Sequence, residues 1–371
     1  MLRTAIIGFG GIARSHLNDI AFFRPDNPLR AADDPLVELV GCCDVMPAAL
    51  ERFRSETGVQ AVYTDVEKML DDLRPDYIHV ATCADVRLEP VLAAAARGIH
   101  VLCEKPLARD PAECDEMIAA CDAAGVQFVV SHQRRSSPAY WHMKKMLDKG
   151  IIGTVRYVTG GGKSRRGGQE IHNIGSHLND AVGILLGDAD WVFAYCSIDG
   201  RPCTKYDREP GDRGAGWVLG ERIDLTTYYK SGVRADFRFN EDPGIFHWIA
   251  WGTEGRLAAF NNDVMINRAP EPFTGERWET VEIPDDAVTT ASGYTMRAGW
   301  QEISRQVAVH NRVHMMREMF ERMETGGEHT SSGRVGAVPI EIMQATFLSH
   351  LRGAPVKLPV DERVSPLADL G

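Results

Sequence analysis

The stretch QEIHNIGSHLND, Gln169 to Asp180, holds two histidines, an asparagine and an aspartate. A neutral imidazole, with an ordinary pKa near ~6.5, can take a proton from a hydroxyl at neutral pH. If a helix begins near Asn173, then Asn173, His177 and Asp180 stand at i, i+4 and i+7 and share one face. That spacing makes His177 the candidate base, with His172 as its alternative. A carboxylate at position 173 would raise the basicity of the histidine. Asn173 can orient the ring but adds no charge, and it would serve equally as a helix N-cap.

Directly before this stretch runs GGGKSRRGG, Gly160 to Gly168, with Lys163, Arg165 and Arg166 on a glycine-rich frame. It reads either as a solvated loop or as an anion clamp, because guanidinium groups grip carboxylate, phosphate or sulfonate in fork geometry.

A second constellation lies at the N-terminus. AIIGFGGIARSHL places Gly8, Gly10 and Ala13 in the order G-x-G-x-x-A, after a strand and before a helix, with Phe9, Gly11 and Ile12 in the same turn. The first glycine permits the tight turn, the second lets the backbone approach a pyrophosphate, and Ala13 lets the helix pack on the strand. A helix N-terminus there offers unpaired N–H groups to phosphates. The next apolar run, VELVGCCDV, ends in Asp44, whose carboxylate can accept hydrogen bonds from both ribose hydroxyls of an adenosine. Val45, Met46 and Pro47 offer no cation for a 2′-phosphate, so the pattern favours NAD over NADP. The interval from Gly8 to Asp44 is longer than the usual ~20 residues, and the excess is assigned to a loop around FFRPDNPLRAADDP.

These residues need a scaffold, and the apolar patterning supplies one. TAIIG, LVELVGCCDV, VQAVY, YIHVAT, IHVLCEK and VQFVVSH alternate with helical stripes, such as Leu88, Val91, Leu92 and Ala95. That alternation predicts an α/β, doubly wound parallel sheet over residues 1–132. Residues 133–371 change character. ERIDLTTYYKSGVRADFRF alternates in and out about a hairpin turn at Lys230-Ser231-Gly232, which predicts a second α/β domain on an antiparallel or mixed sheet. Tyr294 to Thr325 and Pro339 to Arg352 read as helices. A chain of 371 residues with 44% hydrophobic residues suits two domains. Its net charge of −11 argues against nucleic-acid or anionic-membrane partners. No window approaches the ~18 apolar residues of a membrane span. A chain opening directly into a strand is expected to be cytoplasmic. The eight cysteines show no metal-binding spacing and read as reduced core residues, with no metal site expected.

Glu104-Lys105-Pro106 in IHVLCEKPLA, with the glycine fingerprint upstream and GSHLND downstream, resembles the Gfo/Idh/MocA family of NAD(P)-dependent oxidoreductases. QRRSSPAYWHMKKMLDKGIIGTVRYV resembles its interdomain segment and ATFLSHLRGAPVKLPV its C-terminal end. The resemblance implies an N-terminal Rossmann domain and a C-terminal domain with a large open, mostly antiparallel sheet, often used to form homo-oligomers, dimers or tetramers. It places the family's catalytic lysine on Lys105, touching both nicotinamide ribose and substrate hydroxyl, and adds Thr82, Glu104 and Lys105 to the expected cofactor-binding residues. The family's D-x-G-x-H-x-x-D helix falls on Asn173, Gly175, His177 and Asp180, with Asn173 in place of the aspartate. Its TPN-x-x-H segment is here TCADVR, Thr82 to Arg87.

The implied activity is NAD-dependent oxidation of a secondary hydroxyl of a sugar, sugar acid or cyclitol. A second possibility is an NAD-dependent glycosidase that oxidises a ring hydroxyl transiently, eliminates the aglycone, adds water and returns the hydride. The basic loop would suit it to an anionic glycoside such as a sulfoquinovoside or uronide. A third is a non-catalytic dinucleotide-binding regulator, against which the presence of both Lys105 and His177 counts.

Overall fold

The computed structural model describes residues 1–162, 167–240, 246–260, 263–268, 278–299 and 311–368. The chain divides into two compact units. One comprises Met1–Ala108, Ala112–Ser137 and Asp285–Ala337; the other comprises Arg109–Pro111, Pro138–Pro284 and Val338–Gly371.

The first unit alternates strand and helix as the patterning predicts: β1 (Leu2–Ile7), α1 (Ala13–Phe22), β2 (Val37–Cys43), α2 (Pro47–Thr57), β3 (Val62–Tyr63), α3 (Val66–Leu73), β4 (Tyr77–Val80), α4 (Leu88–Ala95), β5 (His100–Cys103), α5 (Pro111–Ala124) and β6 (Phe128–Val130). The strands pair in parallel in the order β3-β2-β1-β4-β5-β6. Thr4–Ile7 and Tyr77–Val80 are buried throughout, as central strands covered on both faces must be. The order reverses between β1 and β4, so the loops at their carboxyl ends flank the crevice where such sheets bind ligands. The long interval before Asp44 is accounted for by irregular chain from Phe23 to Leu36. Arg317 anchors it through a buried pair with Asp34 at 2.9 and 2.7 Å.

Residues 285–337 differ from the expected division at 132/133, which leaves them to the second domain. Here they belong to the first unit. The physical reason is apolar: on the Arg312–Thr325 helix, Val313, Met315, Met316, Met319 and Phe320 enter the same core cluster as Ile6, Phe22, Phe23 and Tyr77. The helix expected to start at Tyr294 does not. Thr290–Tyr294 is the turn of a small hairpin pairing Val288–Thr289 with Thr295–Met296, closed by Gly293 at φ 83°.

The second unit carries α6 (Pro138–Asp148), β7 (Val155–Gly161), α7 (Gly167–Glu170), α8 (Ser176–Leu186), β8 (Ala189–Ile198), β9 (Arg201–Pro202), β10 (Arg208–Pro210) and β11 (Trp217–Leu219). There follow β12 (Arg222–Tyr229), β13 (Arg234–Phe239), β14 (His247–Gly252), β15 (Arg256–Phe260), β16 (Asp263–Asn267) and β17 (Glu279–Thr280). Its large sheet runs β17-β16-β15-β14-β7-β13-β12-β8, is extended by Val356–Lys357, and is antiparallel except where β13 meets β7. β12 and β13 form the predicted hairpin, with Gly232 at φ 82° in its turn. Ile223, Leu225, Thr227 and Tyr229 are buried, and Arg222 and Asp224 are exposed. The last helix runs Gly333–Arg352 and contains Pro339 rather than starting there. No helix among the described residues is long and apolar enough to cross a membrane.

Candidate active site

The glycine loop follows β1 directly. Gly8 has φ 85°, and a Cβ there would stand 2.9 Å from Thr82 Cγ2 and 3.0 Å from the Thr82 nitrogen, so only glycine fits. Gly10, Gly11 and Ile12 are exposed, and a Cβ at either of those glycines would meet nothing within 4 Å. Ala13 is fully buried against the strands, and no side chain caps α1. An open glycine turn leading into an uncapped helix N-terminus fits a pyrophosphate. Phe9 contributes backbone rather than ring: its side chain is buried edge-on against Phe53.

Asp44 sits one residue beyond β2. Its Oδ2 accepts the Phe9 N–H at 2.6 Å and its Oδ1 the Met46 N–H at 2.8 Å. It therefore braces the glycine loop, and each oxygen keeps a lone pair for a ribose hydroxyl. A scan of positions 45–47 overlooks Arg52 on α2, which lies over the Phe9 ring and donates to the Phe9 carbonyl. Calorimetric titration should give tighter binding of NAD than of NADP, because Asp44 repels a 2′-phosphate. Tighter NADP binding that disappears in Arg52→Ala would instead assign Arg52 to that phosphate.

The Lys105 turn follows β5. The Glu104 side chain, expected to face the cofactor, points inward and is 4% exposed. It accepts the Lys105 backbone N–H at 3.1 Å, lies 3.0 Å from His16 Nε2, and pairs with Arg312 at 3.5 Å. Arg312 also donates to Asp19 at 2.6 Å and to Ser15. His16 Nδ1 meets His79 Nδ1 at 2.8 Å. If His16 uses Nε2–H to reach Glu104, its Nδ1 must accept, and His79 must then carry its proton on Nδ1. Burial, reinforced by the Arg312 charge, keeps both imidazoles below the ordinary histidine range and hence neutral at pH 7. Burial pushes the Glu104 carboxyl up, but the His16 hydrogen bond and the Arg312 and Lys105 charges outweigh it and hold the group well below the usual carboxylate range. Glu104 is an anion that fixes the turn.

In the second unit, the expected helix start near Asn173 is corrected. The helix opens at Gly167, where the N–H groups of Gly167 and Gly168 donate to the carbonyls of Glu221 and Gly220 at 2.6 and 2.8 Å. The glycines are required by that approach: a Cβ on Gly168 would come 2.9 Å from the Leu219 oxygen. Asn173 is therefore no N-cap. It lies inside a π-helical segment, Ile171–Gly175, that joins α7 to α8. Such bulges are frequent at functional sites.

From Ile171 to Asp180 the half-buried positions are Asn173 and His177, and the rest are buried, Asp180 included. Asn173 and His177 thus share the accessible stripe, one turn beyond Gln169. Gln169 is engaged with Glu209, Pro210 and Asp212. His172 points elsewhere. It is 5% exposed, its ring stacks on Phe347 at 6.3 Å, and burial lowers its pKa to about 4. Lys163, Arg165 and Arg166 lie outside the described residues.

The residues expected to hold the cofactor lie in the first unit, with Gly8, Asp44, Thr82, Glu104 and Lys105 on loops at the carboxyl ends of β1, β2, β4 and β5. Asn173 and His177 sit on the π-bulged helix of the second. Sequence reasoning missed the network behind Glu104. One signal was available: His16 and Asp19, three apart, fall on the buried face of α1, where charged groups are rare unless paired. All eight cysteines are free, and only Cys83 is exposed.

Comparison with known proteins agrees with this geometry. Residues 2–132 match a family model described as an oxidoreductase family with an NAD-binding Rossmann fold, Gfo/Idh/MocA. The D-apiose dehydrogenase of Paraburkholderia graminis is 24% identical over 384 aligned residues, covering 98% of this chain and 91% of that protein. The 2,7-anhydro-N-acetylneuraminate hydratase of Mediterraneibacter gnavus is 32% identical over 159 residues, covering 38% of this chain and 42% of the relative. Among solved structures, a levoglucosan dehydrogenase in complex with NADH and levoglucosan superposes with a TM-score of 0.73 at 19% identity, covering 96% of this chain and 99% of that one. The glycine loop, Asp44 and the Lys105 turn stand at the carboxyl ends of one doubly wound sheet within residues 2–132, the segment that matches the Gfo/Idh/MocA oxidoreductase family with its NAD-binding Rossmann fold.

Proposed function

We propose that this protein is an NAD-dependent dehydrogenase acting on a secondary hydroxyl of a sugar or cyclitol. The observation that carries the reading is the Lys105 turn. Its backbone is pinned by an ionised, buried Glu104 at the carboxyl end of the sheet, one strand beyond Thr82 and two beyond the glycine loop. Bound NAD supplies the hydride acceptor. Lys105 holds the hydroxyl oxygen by charge and hydrogen bond as alkoxide character develops. His177 takes the hydroxyl proton on its accessible edge, and Asn173, one turn before it, orients the ring. With Asn173 the histidine gains no charge support, so the alkoxide depends more on Lys105. His172 stays a neutral packing residue.

A redox-neutral activity is the second reading, favoured by the hydratase among the relatives. In it the same residues would serve an anionic glycoside or anhydro sugar acid, with Lys163, Arg165 and Arg166 as the anion clamp. One experiment separates the two. Protein and NAD are incubated with levoglucosan, D-apiose, D-xylose, myo-inositol, a 4-nitrophenyl glucuronide and a 4-nitrophenyl sulfoquinovoside, while NADH absorbance and nitrophenol release are recorded together. Stoichiometric NADH from a neutral sugar or cyclitol supports the dehydrogenase. Nitrophenol release without net NADH replaces it by the glycosidase.

A further inference from the structure

We propose that Arg87 is a positioning residue that couples the glycine loop to the Lys105 turn, an inference that rests on the catalytic assignment of Lys105 above. Arg87 ends the short turn Ala84–Val86 and precedes α4. It is 2% exposed, and among the described residues no carboxylate pairs with it. Its guanidinium instead donates to three backbone carbonyls. Nη2 reaches Thr82, and Nη1 reaches Pro106 and, at 3.3 Å, Leu107.

A buried cation without a counter-charge is a costly way to fill space, and an apolar side chain of similar volume would do so at less cost. What the guanidinium adds is a planar fork that grips two loops at once. Thr82 follows β4 and Pro106 follows β5, both at the carboxyl ends of the sheet. Thr82 is also the residue against which Gly8 packs. A continuous line therefore runs from the Gly8 turn through Thr82 and Arg87 to the two carbonyls that follow Lys105. Where the family pattern has a histidine, this chain has an arginine. An imidazole, with at most two N–H groups, cannot serve three carbonyls. Arg87 sets the place of Lys105 relative to the dinucleotide loop without touching either ligand.

The test reads Lys105 directly. Lysines are reductively methylated with ¹³C-formaldehyde, and the Lys105 resonance is assigned as the one missing from Lys105→Arg. In the wild type it is expected to stand apart from exposed lysines and to shift when NAD is added. In Arg87→Met it should move to the exposed-lysine position and lose its response to NAD, while calorimetric NAD affinity stays within about threefold and circular dichroism is unchanged. Arg87→Lys, which keeps the charge but not the fork, should recover part of the response. If Arg87→Met does not fold, Arg87→Lys decides alone by a weakened response. An unchanged Lys105 resonance and NAD response in the variant that folds would overturn the proposal. Failure of the catalytic reading shows separately, as a Lys105→Ala enzyme that still oxidises its best sugar.

Discussion

Lys105→Ala and His177→Ala are each expected to lower kcat by ~10²–10⁴, the usual cost of losing a positioned acid–base group, with NAD affinity and fold retained. The structure gives a reason to expect such a clean separation. The Lys105 backbone N–H ties the turn to Glu104, so truncation removes the ammonium and leaves that bond in place. His177 is half-buried on a helix whose neighbouring positions are packed, so its loss opens the accessible stripe rather than the core. Steady-state kinetics on the best sugar of the panel, with NAD calorimetry on each variant, measure both effects. Interactions made only in the transition state lower kcat and kcat/KM together. A rise in KM at constant kcat would make either residue a mere binder. Near-normal turnover in His177→Ala would move the base elsewhere. His172 is a poor substitute, because burial against Phe347 lowers its pKa to about 4 and turns it from the accessible stripe.

The glycine loop, Asp44 and the Lys105 turn were legible because each is a local device. A φ of 85°, a carboxylate closing a strand and a lysine after a buried strand leave their mark within a few residues. The parallel sheet was legible because burial on both faces forces unbroken apolar runs. The remainder is long-range. The Arg312–Thr325 helix carries an ordinary apolar stripe, and nothing in that stripe says which of two cores it will enter. The helix start at Gly167 was hidden for a related reason. Its first N–H groups are satisfied by carbonyls of residues 220 and 221 rather than by a capping side chain, so the glycines that permit the approach looked like loop. Glu104 was legible as part of a motif but its direction was not, because the groups that draw it inward, His16 and Arg312, stand 88 and more than 200 positions away. Arg87, too, looked only like a departure from a family pattern until its carbonyl partners were in view.

Arg312→Met should destabilise the first unit by ~3–5 kcal/mol, since removing one partner leaves buried carboxylates without a counter-charge. Urea unfolding followed by near-UV circular dichroism measures this. The pH dependence gives the prediction its signature. In the wild type the folded-state pKa of Glu104 is depressed, so the unfolded chain binds more protons in the acid range. The stability that Glu104 contributes is present above its unfolded pKa of ~4.3 and lost as pH falls through the folded value. In the variant the Arg312 charge is gone while the His16 hydrogen bond and the Lys105 charge remain, so the folded pKa rises toward its unfolded value and less stability is lost on acidification. The stability gap between the two proteins should therefore be widest above ~pH 4.3 and shrink as the pH falls below it. A gap that is constant with pH would mean that Arg312 matters only for packing. Adding Asp19→Asn and Glu104→Gln to Arg312→Met removes the stranded charges and should recover most of the stability. It should not recover turnover, because an amide at 104 no longer offers the Lys105 N–H an anion fixed from behind by Arg312. Stability and catalysis would then part in one variant, as expected if the buried network serves the position of Lys105 as well as the fold.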